Sequence, residues 1–204
     1  MPLSPEEGRF AVALAREALD CRVNGNDVPA KKIETALFSG ARGVFVTLNI
    51  VGPVGSSLRG CIGFPYPIKR LDDAIREAAV AAASEDPRFP PVSKRELGSI
   101  LIEVSVLTLP RDLDVPRREM PSHVRIGVDG LIISRHYASG LLLPQVATEF
   151  GMDQVEFLSQ ACVKAGLPPD AWLDPATRVQ VFQAEIFAEK EPRGDVIKVA
   201  GERP

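Results

Sequence analysis

The sequence predicts an α+β protein with a mainly antiparallel β-sheet and flanking helices, and three observations carry that expectation. β-Branched runs recur along the chain, at Gly43 to Val51, Ile100 to Leu109 and Arg178 to Glu189. Helical periodicity is inserted between hairpin-like strand pairs and follows no repeating βαβ series. Gly and Pro clusters punctuate the links, as hairpins and turns require. No internal repeat is visible.

Each element follows in order. Ser4 caps a first helix, with Pro5 at its first position and Glu7 closing a capping box. Phe10, Leu14, Ala18 and Cys21 share one of its faces, which places Cys21 in the core at the helix end, and Asn24 to Asp27 stop it. In the strand Gly43 to Val51, the side chains of Val44, Val46, Leu48 and Ile50 face one way. A loop over 52–57 leads to a short strand, Leu58 to Ile62. After Pro65 and Pro67 comes a helix over Ile68 to Ser84 with an alanine-rich stripe. Three prolines keep 85–91 irregular. Ile100 to Leu109 is the clearest strand, with Glu103 and Ser105 on the face opposite Ile102, Val104 and Val106. Val124 to Arg135 reads as a hairpin on Asp129-Gly130. Gly140 to Pro144 enters a short helix. Asp153 and Glu156 cap another, which stops at Gly166 and places Cys162 in the core. Arg178 to Glu189 reads as one last strand.

Composition bounds the function. The chain has 204 residues and a net charge of −3, from 24 Lys+Arg against 27 Asp+Glu. That length supports one large domain or two small ones. The charge balance argues against nucleic acid as a partner, because phosphate binding needs a basic face. No apolar run approaches the roughly 20 residues a membrane helix needs, so no membrane partner is expected. The first residues lack a signal-peptide pattern, which leads to a cytoplasmic expectation. Three widely spaced cysteines make a poor disulfide framework, and no compact His/Cys motif predicts a transition-metal site. A carboxylate site for magnesium needs no such motif and stays open.

The segment Ser57-Leu58-Arg59-Gly60-Cys61-Ile62-Gly63 holds the candidate chemistry. On a regular strand Arg59 and Cys61 project together while Leu58 and Ile62 enter the core. A guanidinium beside a thiol favours the thiolate, the nucleophilic form. Gly60 and Gly63 leave bare backbone on either side, where a ligand or another chain can approach. The competing reading makes Cys61 a small buried filler. Glu103 is an edge carboxylate, an Arg partner, or an acid of raised pKa at a site. Asp86 and Arg88 flank Pro87 in a rigid loop that closes over a pocket or forms a local ion pair. A base for Cys61 must come from Glu103, Asp86 or His136 in space.

Several stretches resemble one family. LRGCIG at 58–63 is its signature hexapeptide, and SEDPRFPPV at 84–92, LIEVSVLTLP at 101–110, GLLLPQVA at 140–147, FLSQACVKAGL at 157–167 and VFQAEIFAE at 181–189 are similar to it in order. The chain is thus identified as resembling the AMMECR domain family over roughly residues 8 to 190. The resemblance implies one AMMECR-type domain over 1–204, made of two unequal subdomains, with the larger holding both terminal parts. It implies no established reaction and no known cofactor. Association of family members with Memo-type and radical SAM proteins makes those the implied partners.

Two functions follow. In the first, the chain is an enzyme or substrate-binding component acting through Cys61 and Arg59, with Glu103 as a further catalytic candidate and Gly60, Gly63, Asp86 and Arg88 as binding candidates. In the second, it is a non-catalytic domain that docks a protein or ligand on the LRGCIG segment. A homodimer is expected on the frequency of symmetric pairs among small proteins.

Overall fold

The computed structural model describes residues 3–30 and 32–199. Helix α1 (Pro5–Asn24) begins with the expected capping box: Ser4 Oγ accepts from the Glu7 N–H, and the Glu7 carboxylate accepts from the Ser4 N–H. Gly25, at φ 77°, ends it in the left-handed region that glycine tolerates. Its buried stripe runs through Ala11, Val12, Ala15, Ala18 and Leu19. Phe10 therefore turns outward, edge-on to Phe38 with ring centroids 5.0 Å apart, and Cys21 is half-buried rather than core.

A short helix, α2 (Ala36–Ser39), precedes strands β1 (Val44–Gly52) and β2 (Gly55–Phe64). The link between them is shorter than expected, because only Pro53 and Val54 lie outside the ladder and Gly52 pairs with Gly55. Helix α3 (Leu71–Ser84) starts three residues later than expected. Ile68 stays in the turn, 71% exposed, and the Leu71 N–H goes to the Gly40 carbonyl at 2.9 Å. After the irregular 85–99 stretch comes β3 (Ile100–Leu107), antiparallel to β1.

The chain then forms a second compact unit, Thr108–Ala184, before returning to the first at Glu185. The second unit holds β4 (Arg111–Asp112), β5 (Gly130–Arg135), β6 (Ala138–Leu142), α4 (Pro144–Glu149), α5 (Gln154–Lys164) and β7 (Arg178–Phe182), in a sheet of order β4-β7-β5-β6. Strands β8 (Ala184–Glu189) and β9 (Val196–Val199) complete the first unit's sheet, of order β2-β1-β3-β8-β9.

Three expectations for the second unit are corrected. Asp129-Gly130 is not a hairpin turn: the Asp129 carboxylate is buried and takes the Arg125 guanidinium and main-chain N–H, so 124–129 is a loop. The hairpin joins β5 to β6 through His136 and Tyr137, which places Gly140 to Leu142 on a strand, and the helix begins only at Pro144. The run 178–189 is two strands in two sheets, parted at Gln183, whose main chain turns to Thr108. The α5 capping box at Asp153 and Glu156 is present as expected.

Each unit has its own apolar core. In the first, α1 and α3 cover one sheet face, and their small residues Ala11, Ala15, Ala78 and Ala82 let the helices pack closely on Val44, Val46, Leu48, Ile102 and Val104. Full burial of a side chain such as Leu48 contributes about 1.5–3 kcal/mol. In the second, Phe157, Leu158, Ala161 and Cys162 of α5 pack with Leu131, Ile133, Val179 and Trp172. The fold is α+β, and β1–β2, β1–β3 and β5–β7 all pair antiparallel.

Candidate functional site

The LRGCIG segment is the second half of β2, at the edge of the first sheet. Its register against β1 runs Thr47↔Cys61 and Leu48↔Gly60, then jumps to Asn49↔Leu58. Arg59 is therefore the extra residue of a β-bulge, and a bulge interrupts strict alternation of faces. Two sequence expectations fall with it. Leu58 is exposed rather than core, while Ile62 does pack on the core. Arg59 does not serve Cys61: its Nε donates to Glu96 Oε1 at 2.7 Å and its Nη2 to the Pro91 carbonyl at 3.3 Å, with the guanidinium 5.9 Å from the Phe89 ring centroid.

Cys61 lies instead on the sheet face away from the helices. Thr47 is opposite it on β1, and Glu103 is opposite Thr47 on β3. These three side chains make one polar row across three neighbouring strands, with directly opposed Cβ atoms about 4.5–5.5 Å apart. The Thr47 hydroxyl donates to the Cys61 sulfur at 3.2 Å. Cys61 is half-buried, and Glu103 is nearly fully buried on a central strand rather than an edge.

Asp86 and Arg88 close on the open edge of β2. One Asp86 oxygen accepts the Cys61 N–H at 2.8 Å, and the Arg88 Nη2 donates to the Cys61 carbonyl at 3.4 Å. The same two residues form a two-point ion pair, at 2.9 and 2.6 Å. The Arg88 guanidinium holds the Asp86 carboxyl far below the usual carboxylate range, reinforced by the N–H groups of Cys61 and Arg88 against the effect of burial. Burial pushes the Cys61 thiol up. The Thr47 hydroxyl and Arg88 pull against that rise, and the charges of Glu103 and Asp86 add to it. The thiol is thus neutral near pH 7, not the pre-formed thiolate that an Arg59 partner would have made.

The glycines are filled by the chain itself. A Cβ on Gly60 would stand 2.2 Å from the Ala82 carbonyl of α3, and one on Gly63 would stand 2.2 Å from the Val44 carbonyl. Close approach is what they provide, but to α3 and β1 rather than to a ligand. A cavity of about 420 Å³ opens on α3 beside Phe64 and is not lined by Cys61. His136 is exposed on the β5–β6 turn of the second unit, and Cys162 is fully buried. Among the described residues, no group of three or more His, Cys, Asp or Glu is placed to hold a metal ion. Sequence reasoning missed Thr47, which reads as an ordinary strand former, and Glu96, which lies 37 residues from Arg59.

Among the described residues, no helix is long and apolar enough to cross a membrane. The AMMECR1 family model matches residues 12–187. A protein of Methanothermobacter thermautotrophicus is 53% identical over 196 residues, covering 92% of this chain and 97% of its own. A Pyrococcus furiosus protein is 50% identical over 197 residues, covering 95% and 93%. The crystal structure of an uncharacterized Pyrococcus horikoshii protein, PH0010, superimposes with a TM-score of 0.82 at 46% identity over 97% of this chain and 98% of that one. Family pattern, relatives and solved fold all span the same two units. The chain belongs to the AMMECR1 family.

Proposed function

We propose that this domain is the substrate-binding component of a cytoplasmic enzyme system, and that it meets its substrate with the row Cys61, Thr47 and Glu103, rimmed by Arg88 and Asp86. The observation that carries this reading is the row itself. Three strands place a thiol, a hydroxyl and a carboxylate at one level, on the face the helices leave uncovered. Arg59 is a positioning residue, spent on Glu96 and on the 85–96 loop. Cys61 enters as a neutral thiol. The Memo-type and radical SAM proteins implied by the family resemblance are the proposed partners that act on the bound substrate.

A second reading, nucleophilic catalysis, is favoured by one feature. Glu103 stands in the same row and can take the thiol proton if the Thr47 hydroxyl turns round. The hydroxyl then accepts the proton from Cys61 while passing its own to the Glu103 carboxylate as a substrate seals the face. The two readings separate by alkylation of Cys61 with iodoacetamide, followed by mass spectrometry on the native protein. Substrate binding by a neutral thiol expects a reaction midpoint above the ordinary thiol range, moved down by Glu103→Gln and up by Arg88→Gln. A small-molecule extract of the source cells should slow the reaction in the wild type and leave Glu103→Gln unprotected. A midpoint below about pH 8 would establish the nucleophile instead. Protection by the macromolecular fraction alone would establish protein docking, and alkylation only upon global unfolding would reduce Cys61 to packing.

A further inference from the structure

An edge strand offers a row of main-chain N–H and C=O groups to any other strand, and folded proteins cover or blunt such edges. The four edges of the two sheets here are treated differently. β9 carries Lys198, which pairs with Glu185. β4 is two charged residues long, Arg111 and Asp112. β6 is five residues long, and the end of α5 packs on its face, where a Cβ on Gly140 would meet the Ala165 nitrogen at 2.4 Å. The second half of β2 is closed by Asp86 and Arg88, whose acceptor and donor take the Cys61 N–H and C=O as a neighbouring strand would.

Among the described residues, none of these devices meets the first half of β2. Residues 51–58 are exposed without a break, with Val54 fully so, Val51 at 42% and Leu58 at 39%. No charged side chain occurs from Val44 to Leu58, in a chain that is 25% charged. The Gly52↔Gly55 pair closes a two-residue hairpin, and hydrogen-bonded pairs alternate from it, so Ser57 bonds inward to Ile50. The main-chain groups of Ser56 and Leu58 then point away from β1.

We infer that this edge pairs with the same edge of a second copy of the chain. The two β2 strands run antiparallel across a two-fold axis, which joins the two first-unit sheets into one. The occupant follows from charge and symmetry. An uncharged strand repels no partner of its own kind, and an antiparallel pair of identical strands is self-complementary about a two-fold axis. Exposed Leu58 lies on the pairing strand beside the second copy. Only a few residues per copy form the ladder, so the dimer is weak and concentration-dependent. The inference stands apart from the role of Cys61.

Sedimentation equilibrium on the full chain tests it. The wild type is expected to pass from 22.1 kDa towards twice that mass as concentration rises. Ser56→Pro removes one outward N–H per copy while leaving the bonds to β1 in place, and is expected to raise the dissociation constant about tenfold or more. Ser56→Lys, which puts a like charge on each copy's side of the shared ladder, is expected to act the same way and covers the case of a poorly folding proline variant. Far-UV circular dichroism confirms the fold of each. A wild type that stays at 22.1 kDa at its highest soluble concentration overturns the inference and leaves the edge to a strand of another protein. A dimer that both variants leave unchanged overturns it as well.

Discussion

Arg59 and Cys61 are two residues apart, yet the bulge between them sends one to Glu96 and the other to Thr47. Two consequences are measurable at these residues. Gly60 faces the Ala82 carbonyl so closely that Gly60→Ala must displace α3, and such overpacking costs about 1–3 kcal/mol. A urea titration should show that loss, and an unchanged midpoint would mean that the helix shifts freely. Glu96 gives the second. The Arg59 hydrogen bond, with the N–H and hydroxyl of Ser93, brings its carboxyl down from 4.5 to about 2 against the opposing effect of burial. A carboxyl depressed in the fold stabilises it above the unfolded value and loses that contribution as the pH falls through the folded one. Stability carried by Arg59 and Glu96 is therefore complete above about pH 4.5 and fades towards pH 2. Glu96→Gln should lower stability at pH 7 and flatten its decline across that window. Parallel acid profiles for the two proteins would mean that the pair contributes nothing.

Among the elements, what could be read in advance was what the chain settles locally. The capping boxes of α1 and α5 depend on residues three apart, and both formed where Ser4-Glu7 and Asp153-Glu156 placed them. The faces of β1 and β3 follow from alternation, which marks Glu103 as a carboxylate on an apolar strand, while Cys61 on β2 is marked by the LRGCIG segment and not by its face. What escaped depended on partners far along the chain. The bulge exists only as a mismatch with β1, and nothing within LRGCIG announces it. The break at Gln183 hides inside a run that alternates without interruption, because two strands of different sheets happen to abut. Asp129-Gly130 has the composition of a turn, but the Arg125 guanidinium captures the carboxylate. A local signal should also be local in its energetics. Ser4→Ala is expected to cost about 1 kcal/mol of stability, read from chemical denaturation. A loss near zero would show that the tertiary contacts of α1 hold its first turn without the cap.

At the scale of the whole molecule, the two cores share no residue, and the only tryptophan, Trp172, belongs to the second. Phe157→Ala should destabilise that unit by about 3–5 kcal/mol. Trp172 fluorescence would then melt ahead of the far-UV signal, whereas coincident transitions would show the two units to unfold as one. The chain leaves the first unit after Leu107 and re-enters it at Glu185. Between those points, the Thr108 N–H meets the Gln183 carbonyl at 2.8 Å and the Gln183 N–H meets the Thr108 hydroxyl at 2.9 Å. The strands on either side, β3 and β8, are already neighbours in the five-stranded sheet. In effect the second unit is a guest spliced into the tip of a host's strand connection, its entrance and exit buttoned together. Exchanging the guest for a short turn would shorten the loop the host must close, a gain that grows only with the logarithm of the residues removed. The host would keep both halves of the LRGCIG strand, the row of Cys61, Thr47 and Glu103, and both helices that back the opposite face of its sheet, so the chemistry and its support travel as one transplantable piece.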